Sequence, residues 1–135
     1  MIFDFDLDIN INEYSPLVLA YVGDAVYEIY IRTKLSSGVN MPVNKLHKEA
    51  TRFVRAKSQS RISHFLEDKL TEEELRVYKR GRNASSNTHA KNADIVDYRH
   101  ATGFEALVGY LYLARNEERL IEILELSYNY ILENE

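Results

Sequence analysis

Five glycines and two prolines are all the backbone punctuation in 135 residues. A chain so sparing of turn formers, with almost no alternation of apolar and polar side chains, is directed toward helix. Ser15-Pro16 is a start signal: a hydroxyl able to cap, then a ring with preset φ. From Leu17 to Leu35 an apolar run predicts a mostly buried helix, stopped by Ser36-Ser37-Gly38. A second helix begins near Pro42, with Val43, Leu46, Ala50, Phe53 and Val54 on one face and Lys45, Lys48, Arg52 and Arg55 on the other. Ile62, Phe65 and Leu66 mark a shorter third, and Thr71 and Glu74 have the spacing of a capping box opening a fourth. A fifth covers about Tyr98 to Ala114, and an amphipathic sixth runs from about Glu117 to the end. The expectation is one all-α domain over 1–135, entered through a short acidic segment, 1–14. The small, polar and basic stretch 81–97 is expected to be a mobile loop.

Composition removes several chemistries. There is no cysteine, hence no disulfide scaffold, thiolate zinc site or cysteine nucleophile. His47, His64, His89 and His100 share no metal-ligand spacing, and no glycine-rich phosphate loop is present. Asp24 and Glu28 interrupt the longest apolar run, so no membrane span is expected. Acids stand at the N-terminus where an export signal would carry lysines, so a cytoplasmic protein is expected. The net charge of −4 is unevenly spread: residues 1–42 carry −4, residues 43–100 carry +5 and residues 101–135 carry −5. A local positive field of that kind can dock a polyanion although the whole chain is acidic.

The informative anomaly is a pair of acids set in the two most apolar helices: Asp24 in Val22-Gly23-Asp24-Ala25-Val26, and Glu105 in Gly103-Phe104-Glu105-Ala106-Leu107. A carboxylate in such surroundings costs free energy unless it is paired, hydrogen-bonded or bound to a cation. Glycines stand close to both acids, and Gly109 follows Glu105 by one turn. Glycine inside a helix is itself unfavourable, so close approach of another backbone or a ligand is a reason to keep it. Two readings stay open on these residues alone. The acids could form buried ion pairs, with Arg32 or Arg99, or they could converge as hard oxygen ligands for Mg²⁺. Glu28, one turn beyond Asp24, suits an ion pair better than a ligand.

The same residues resemble a family. Tyr21-Val22-Gly23-Asp24-Ala25-Val26-Tyr27-Glu28 is similar to the signature helix of ribonuclease III catalytic domains. Phe104-Glu105-Ala106-Leu107-Val108-Gly109 resembles that family's second acidic helix, and Val54-Arg55-Ala56-Lys57-Ser58 its intervening segment. The likeness spans roughly residues 15–115 in matching order. Ala20 and Thr102 stand where two further family acids are usual, and no double-stranded-RNA-binding domain follows. Those departures, with Lys79-Arg80-Gly81-Arg82-Asn83-Ala84 and Lys91-Asn92, resemble Mini-ribonuclease III, the free-standing form of the catalytic domain.

The resemblance implies a ribonuclease III-like helical endonuclease fold and a symmetric homodimer. It implies hydrolysis of double-stranded RNA to 5′-phosphate and 3′-hydroxyl ends, in maturation of precursor large-subunit (23S) ribosomal RNA. Asp24 and Glu105 would be the catalytic, metal-holding acids, with Mg²⁺ as cofactor and Mn²⁺ as a substitute. With two acids fewer, water must complete the ion's shell, so weak affinity is expected. Phosphate contacts are expected from Lys45, Lys48, Arg52, Arg55 and Lys57, and from Lys79, Arg80, Arg82, Asn83, His89 and Lys91. Recognition would be of duplex shape, with a steep loss of affinity as salt rises. A large-subunit ribosomal protein is a further candidate partner. A catalytically silent relative that binds structured RNA or the ribosome is the competing function, favoured by the two missing acids.

Overall fold

The computed structural model describes residues 3–85 and 92–135, apart from the side chains of 92 and 93. A short 3-10 turn, Ile11–Glu13, leads into six helices: α1 Pro16–Ser36, α2 Val43–Val54, α3 Ala56–Leu66, α4 Glu72–Ala84, α5 Asn92–Leu113 and α6 Glu117–Asn134. The described residues contain no strand, as the periodicity requires. The start signals act as the sequence suggests. Ser15 accepts a hydrogen bond from the Leu17 amide with Pro16 in the first turn of α1, and Thr71 and Glu74 cap each other at the head of α4.

Several boundaries differ from expectation. The third helix starts at Ala56, directly after Arg55, whose extended backbone turns the chain out of α2. Gly81–Ala84 belongs to α4 and residues 92–97 to α5, so the connection expected over 81–97 is much shorter. His89 and Lys91, named as phosphate contacts, lie outside the described residues.

The core sits between α1, α3 and α5, closed by α2 and α6. Tyr27, Ile31, Phe53, Ile62, Leu66, Phe104, Leu107, Leu111, Ile123 and Ile131 are all buried there. Burial of this much aliphatic and aromatic surface is the main favourable term in folding. The first helix is less buried than its apolar run predicts. Leu19, Ala20, Gly23, Tyr27 and Ile31 face the core, whereas Leu17, Val18, Tyr21 and Ile29 are exposed, Tyr21 to 80%. The helix is apolar on both sides, and the protein covers one of them. Among the described residues no helix is long and apolar enough to cross a membrane.

The contact that positions the functional residues is the crossing of α1 and α5. A Cβ added to Gly23 would stand 1.7 Å from the Glu105 carbonyl oxygen, and one added to Gly109 would stand 1.9 Å from that of Leu19. The two backbones touch reciprocally at these two residues, and any larger side chain would separate them. The glycines near the acids therefore serve backbone approach.

Candidate active site

Asp24 follows the α1 glycine of this crossing, and Glu105 supplies the carbonyl against which that glycine packs. Two carboxyl groups eighty-one positions apart thus emerge side by side. Asp24 is exposed and Glu105 half-buried, and their carboxyl groups are within hydrogen-bonding reach of each other. Burial, then the charge of Asp24 and the bond to it, push the Glu105 carboxyl from the ordinary 4.5 up to about 8; a bond from Gln59 opposes the rise. Like charges this close ionise together only with difficulty, so the Glu105 carboxyl gives up its proton late.

Neighbouring elements hold this pair in place. Tyr27, one turn after Gly23 and fully buried, donates its hydroxyl to the Phe53 carbonyl at 2.8 Å and sets its ring edge-on to Phe104 at 5.0 Å. Its phenol is pushed far up by burial and then by Glu105, so it stays neutral. From α3, Gln59 reaches in, 3% exposed. Its Nε2 donates to the Val54 carbonyl at 2.8 Å and to Glu105 Oε2 at 3.3 Å. Its Oε1 is buried without a hydrogen-bond partner. Sequence reading missed this residue; the one signal for it is the polar run Ser58-Gln59-Ser60 with Ser63, all buried on the inner side of a helix.

The ion-pair reading of the acids does not hold among the described residues. Arg32 pairs with Glu28 at 3.0 Å, as the spacing of Glu28 suggests, and Arg99 is exposed. No lysine or arginine figures among the groups acting on Glu105. The arrangement fits a divalent cation: two adjacent carboxyls with no cationic partner among the described residues, beside a buried amide oxygen without a hydrogen-bond partner. No group of three or more histidine, cysteine or acidic side chains that could hold a metal occurs among the described residues. Protein ligation would rest on Asp24 and Glu105, with water completing the shell. Ala20 is buried and offers no donor, and Thr102 donates to the Tyr98 carbonyl within α5 at 3.0 Å.

The basic residues divide into two groups. Lys45, Lys48, Lys57, Lys79, Arg80 and Asn83 are exposed. Arg52 and Arg55 are engaged by the opposite end of the chain: Arg52 donates to the Glu135 backbone carbonyl at 2.7 Å and Arg55 to its side chain at 2.9 Å, where Arg61 adds a third contact at 3.1 Å. Arg82 is half-buried, bonded to Asn83 at 3.2 Å and set over the Tyr78 ring at 5.9 Å. Of the other histidines, His64 and His100 pack ring against ring at 4.5 Å, and His100 meets the Tyr78 hydroxyl.

A match to the family model of the Ribonuclease III domain covers residues 17–116, both acids included. Curated relatives narrow the assignment. Over 121 residues the chain is 54% identical to Mini-ribonuclease 3 of Clostridium tetani, covering 89% of this chain and 80% of that one. The chain belongs to the Mini-ribonuclease 3 branch of the ribonuclease III family. Mini-ribonuclease 3 of a Thermoanaerobacter species is 56% identical over 119 residues, covering 88% of this chain and 84% of the relative. A crystal structure of a Fusobacterium nucleatum protein superposes with a TM-score of 0.75 at 33% identity, covering 88% and 95% of the two chains. That agreement extends the family assignment to the helical architecture.

Proposed function

We propose that this chain, an endoribonuclease by family, cleaves double-stranded RNA at Asp24 and Glu105 with Mg²⁺ and matures precursor 23S ribosomal RNA in the cytoplasm. The observation that carries the reading is the meeting of the two carboxyls at a glycine crossing, where burial and the neighbouring acid push Glu105 up and no cationic side chain among the described residues offsets the rise. Mg²⁺, with Mn²⁺ as a substitute, would supply positive charge at the scissile phosphate and acidify an attacking water. The chain's own residues prepare for it. Glu105 gives up its proton to become a ligand, so ion binding is coupled to proton release. Tyr27 and Gln59 fix the directions from which the carboxyls approach, and Gly23 and Gly109 set their separation.

Duplex affinity has to come from this surface. Lys45, Lys48 and Lys57 stand exposed on α2 and α3, Lys79, Arg80 and Asn83 on α4. We assign the phosphate contacts to these residues together with Arg52, Arg55, Arg82, His89 and Lys91. A second copy of the chain is the proposed cover for the open side of α1. Tyr21 and Ile29 there join Phe3 and Ile121 around an apolar groove that reaches Asp24, and Leu17 and Val18 are exposed on the same helix. A monomer rarely leaves so contiguous an apolar patch to water, and a two-fold pairing would bring two acid pairs onto one duplex.

The test is a perfect RNA duplex incubated with the purified protein. Cleavage with Mg²⁺ to 5′-phosphate ends, its loss on chelation, and cleavage of a 23S precursor carrying its ribosomal proteins are the expected results. Asp24→Asn should bind the duplex with unchanged affinity and turn over at least 10³-fold more slowly, about 4 kcal/mol of barrier. Binding without cleavage by the unaltered chain would instead indicate the RNA-binding scaffold.

A further inference from the structure

We infer that Gln59 is a positioning residue that fixes Glu105 for a divalent cation and offers its Oε1 to that ion's hydration shell. The inference rests on the proposed role of Asp24 and Glu105 and assigns a third participant to it.

The amide orientation is set by chemistry. The Val54 carbonyl can only accept, so the NH₂ group must face it, and the same nitrogen reaches Glu105 Oε2. The oxygen on the same carbon is then the atom left without a partner, in a side chain 3% exposed and against Glu105. A buried acceptor with nothing to accept is costly and uncommon. The bonds from Nε2 account for the nitrogen of this amide and leave its oxygen unaccounted for. A water held by a cation between Asp24 and Glu105 is a strong donor in the right neighbourhood and would satisfy it.

The surroundings favour this role over a purely local one. Gln59 is anchored at both ends: its backbone amide bonds to the Arg55 carbonyl at 3.1 Å, and its side chain spans to Val54 at the end of α2. It therefore ties the α2–α3 corner, where Arg55 and Lys57 project, to the acid on α5. Ala20 and Thr102 contribute no carboxylate to this site. A neutral oxygen from a third helix suits a site with only two acids, because it adds an acceptor without adding to their repulsion.

The experiment is a Mn²⁺ titration of the RNA-free protein followed by electron paramagnetic resonance, run on Gln59→Leu and Gln59→Met beside Asp24→Asn. Thermal melts of each protein are recorded. Loss of a hydrogen-bonding group that orients a metal ligand weakens affinity by about 10- to 100-fold. Both Gln59 variants should show that loss at temperatures where each is folded; because both also leave the Val54 carbonyl without its donor, each should melt below the parent in the absence of metal. Their duplex turnover should fall in kcat with KM for RNA unchanged, and raised Mg²⁺ should restore part of it. Gln59→Leu and Gln59→Met binding Mn²⁺ as the parent does, while Asp24→Asn loses it, would overturn the role of Gln59 alone. Undiminished Mn²⁺ binding by Asp24→Asn would overturn the site itself, and the Gln59 assignment with it. Should Gln59→Leu fail to fold, Gln59→Met decides the outcome.

Discussion

The crossing of α1 and α5 and the outer face of α2 and α3 both gather charge, by opposite means. At the crossing, backbone contact between Gly23 and Glu105 forces two like charges together, and a proton is retained to make this tolerable. On the outer face, Arg52, Arg55 and Arg61 reach Glu135 through long side chains, and the attraction between opposite charges makes the contact. The first arrangement is fixed by the fold and lacks a cation. The second sets three arginines on one glutamate and keeps positive charge for another anion. On the proposed function, catalytic geometry would belong to rigid elements in close contact, and affinity for a polyanion to side chains able to change partners.

The largest blow to the rigid half is Gly23→Ala. Its methyl would have to occupy space 1.7 Å from the Glu105 carbonyl oxygen, and both neighbours are backbone. We expect destabilisation of at least about 3 kcal/mol, seen as a melting temperature lower by roughly 10 °C, with loss of duplex cleavage. An alanine there that left the melt unchanged would show that the helices can separate without consequence.

Glu105→Gln sharpens the comparison through pH. In the fold Glu105 holds its proton up to about pH 8, while in the unfolded chain it is released near 4.5. The native state binds more protons over that window, so this group's contribution makes metal-free stability fall as pH rises from about 4.5 to 8. The amide removes that slope. The variant should melt with the parent at pH 5 and above it at pH 8, by about 1–2 kcal/mol for a half-buried acid, while cleavage is lost. Saturating Mg²⁺ should flatten the parent's slope and leave the variant unmoved.

The exchangeable half should respond least. Glu135→Gln weakens the hold on Arg55 and Arg61, whose side chains are about half exposed while that of Glu135 is only 7% exposed; the amide keeps an acceptor in place, so the loss is about 1 kcal/mol. Melting should shift by no more than a few degrees, and duplex affinity should rise by less than about tenfold, more at low salt than at high. No change in affinity across salt would show that these arginines do not meet phosphate.

Most of the fold was legible because helix signals are local: the Ser15 cap, the Thr71–Glu74 box and the apolar spacing of α2 each act within one or two turns. The acid pair was legible too, because a carboxylate among aliphatic residues demands a reason wherever it sits. Other features depend on contacts that no local pattern records. The outer side of α1 carries the same residue types as its core side, so Tyr21 and Ile29 read as buried when they are exposed. Gln59, flanked by serines, has the composition of a solvated helix face, yet α5 covers it. Arg52 and Arg55 look free in sequence because their partner lies about eighty positions away. The ends of α4 and α5 were hidden for the opposite reason, since polar residues continuing a helix beyond its packed part leave no periodicity to follow.

The most direct measurement is anomalous diffraction from crystals of the protein grown with Mn²⁺. The account predicts a peak coordinated by both Asp24 and Glu105 and absent from Asp24→Asn crystals. A peak elsewhere, or none at these carboxyls at saturating Mn²⁺, would contradict it.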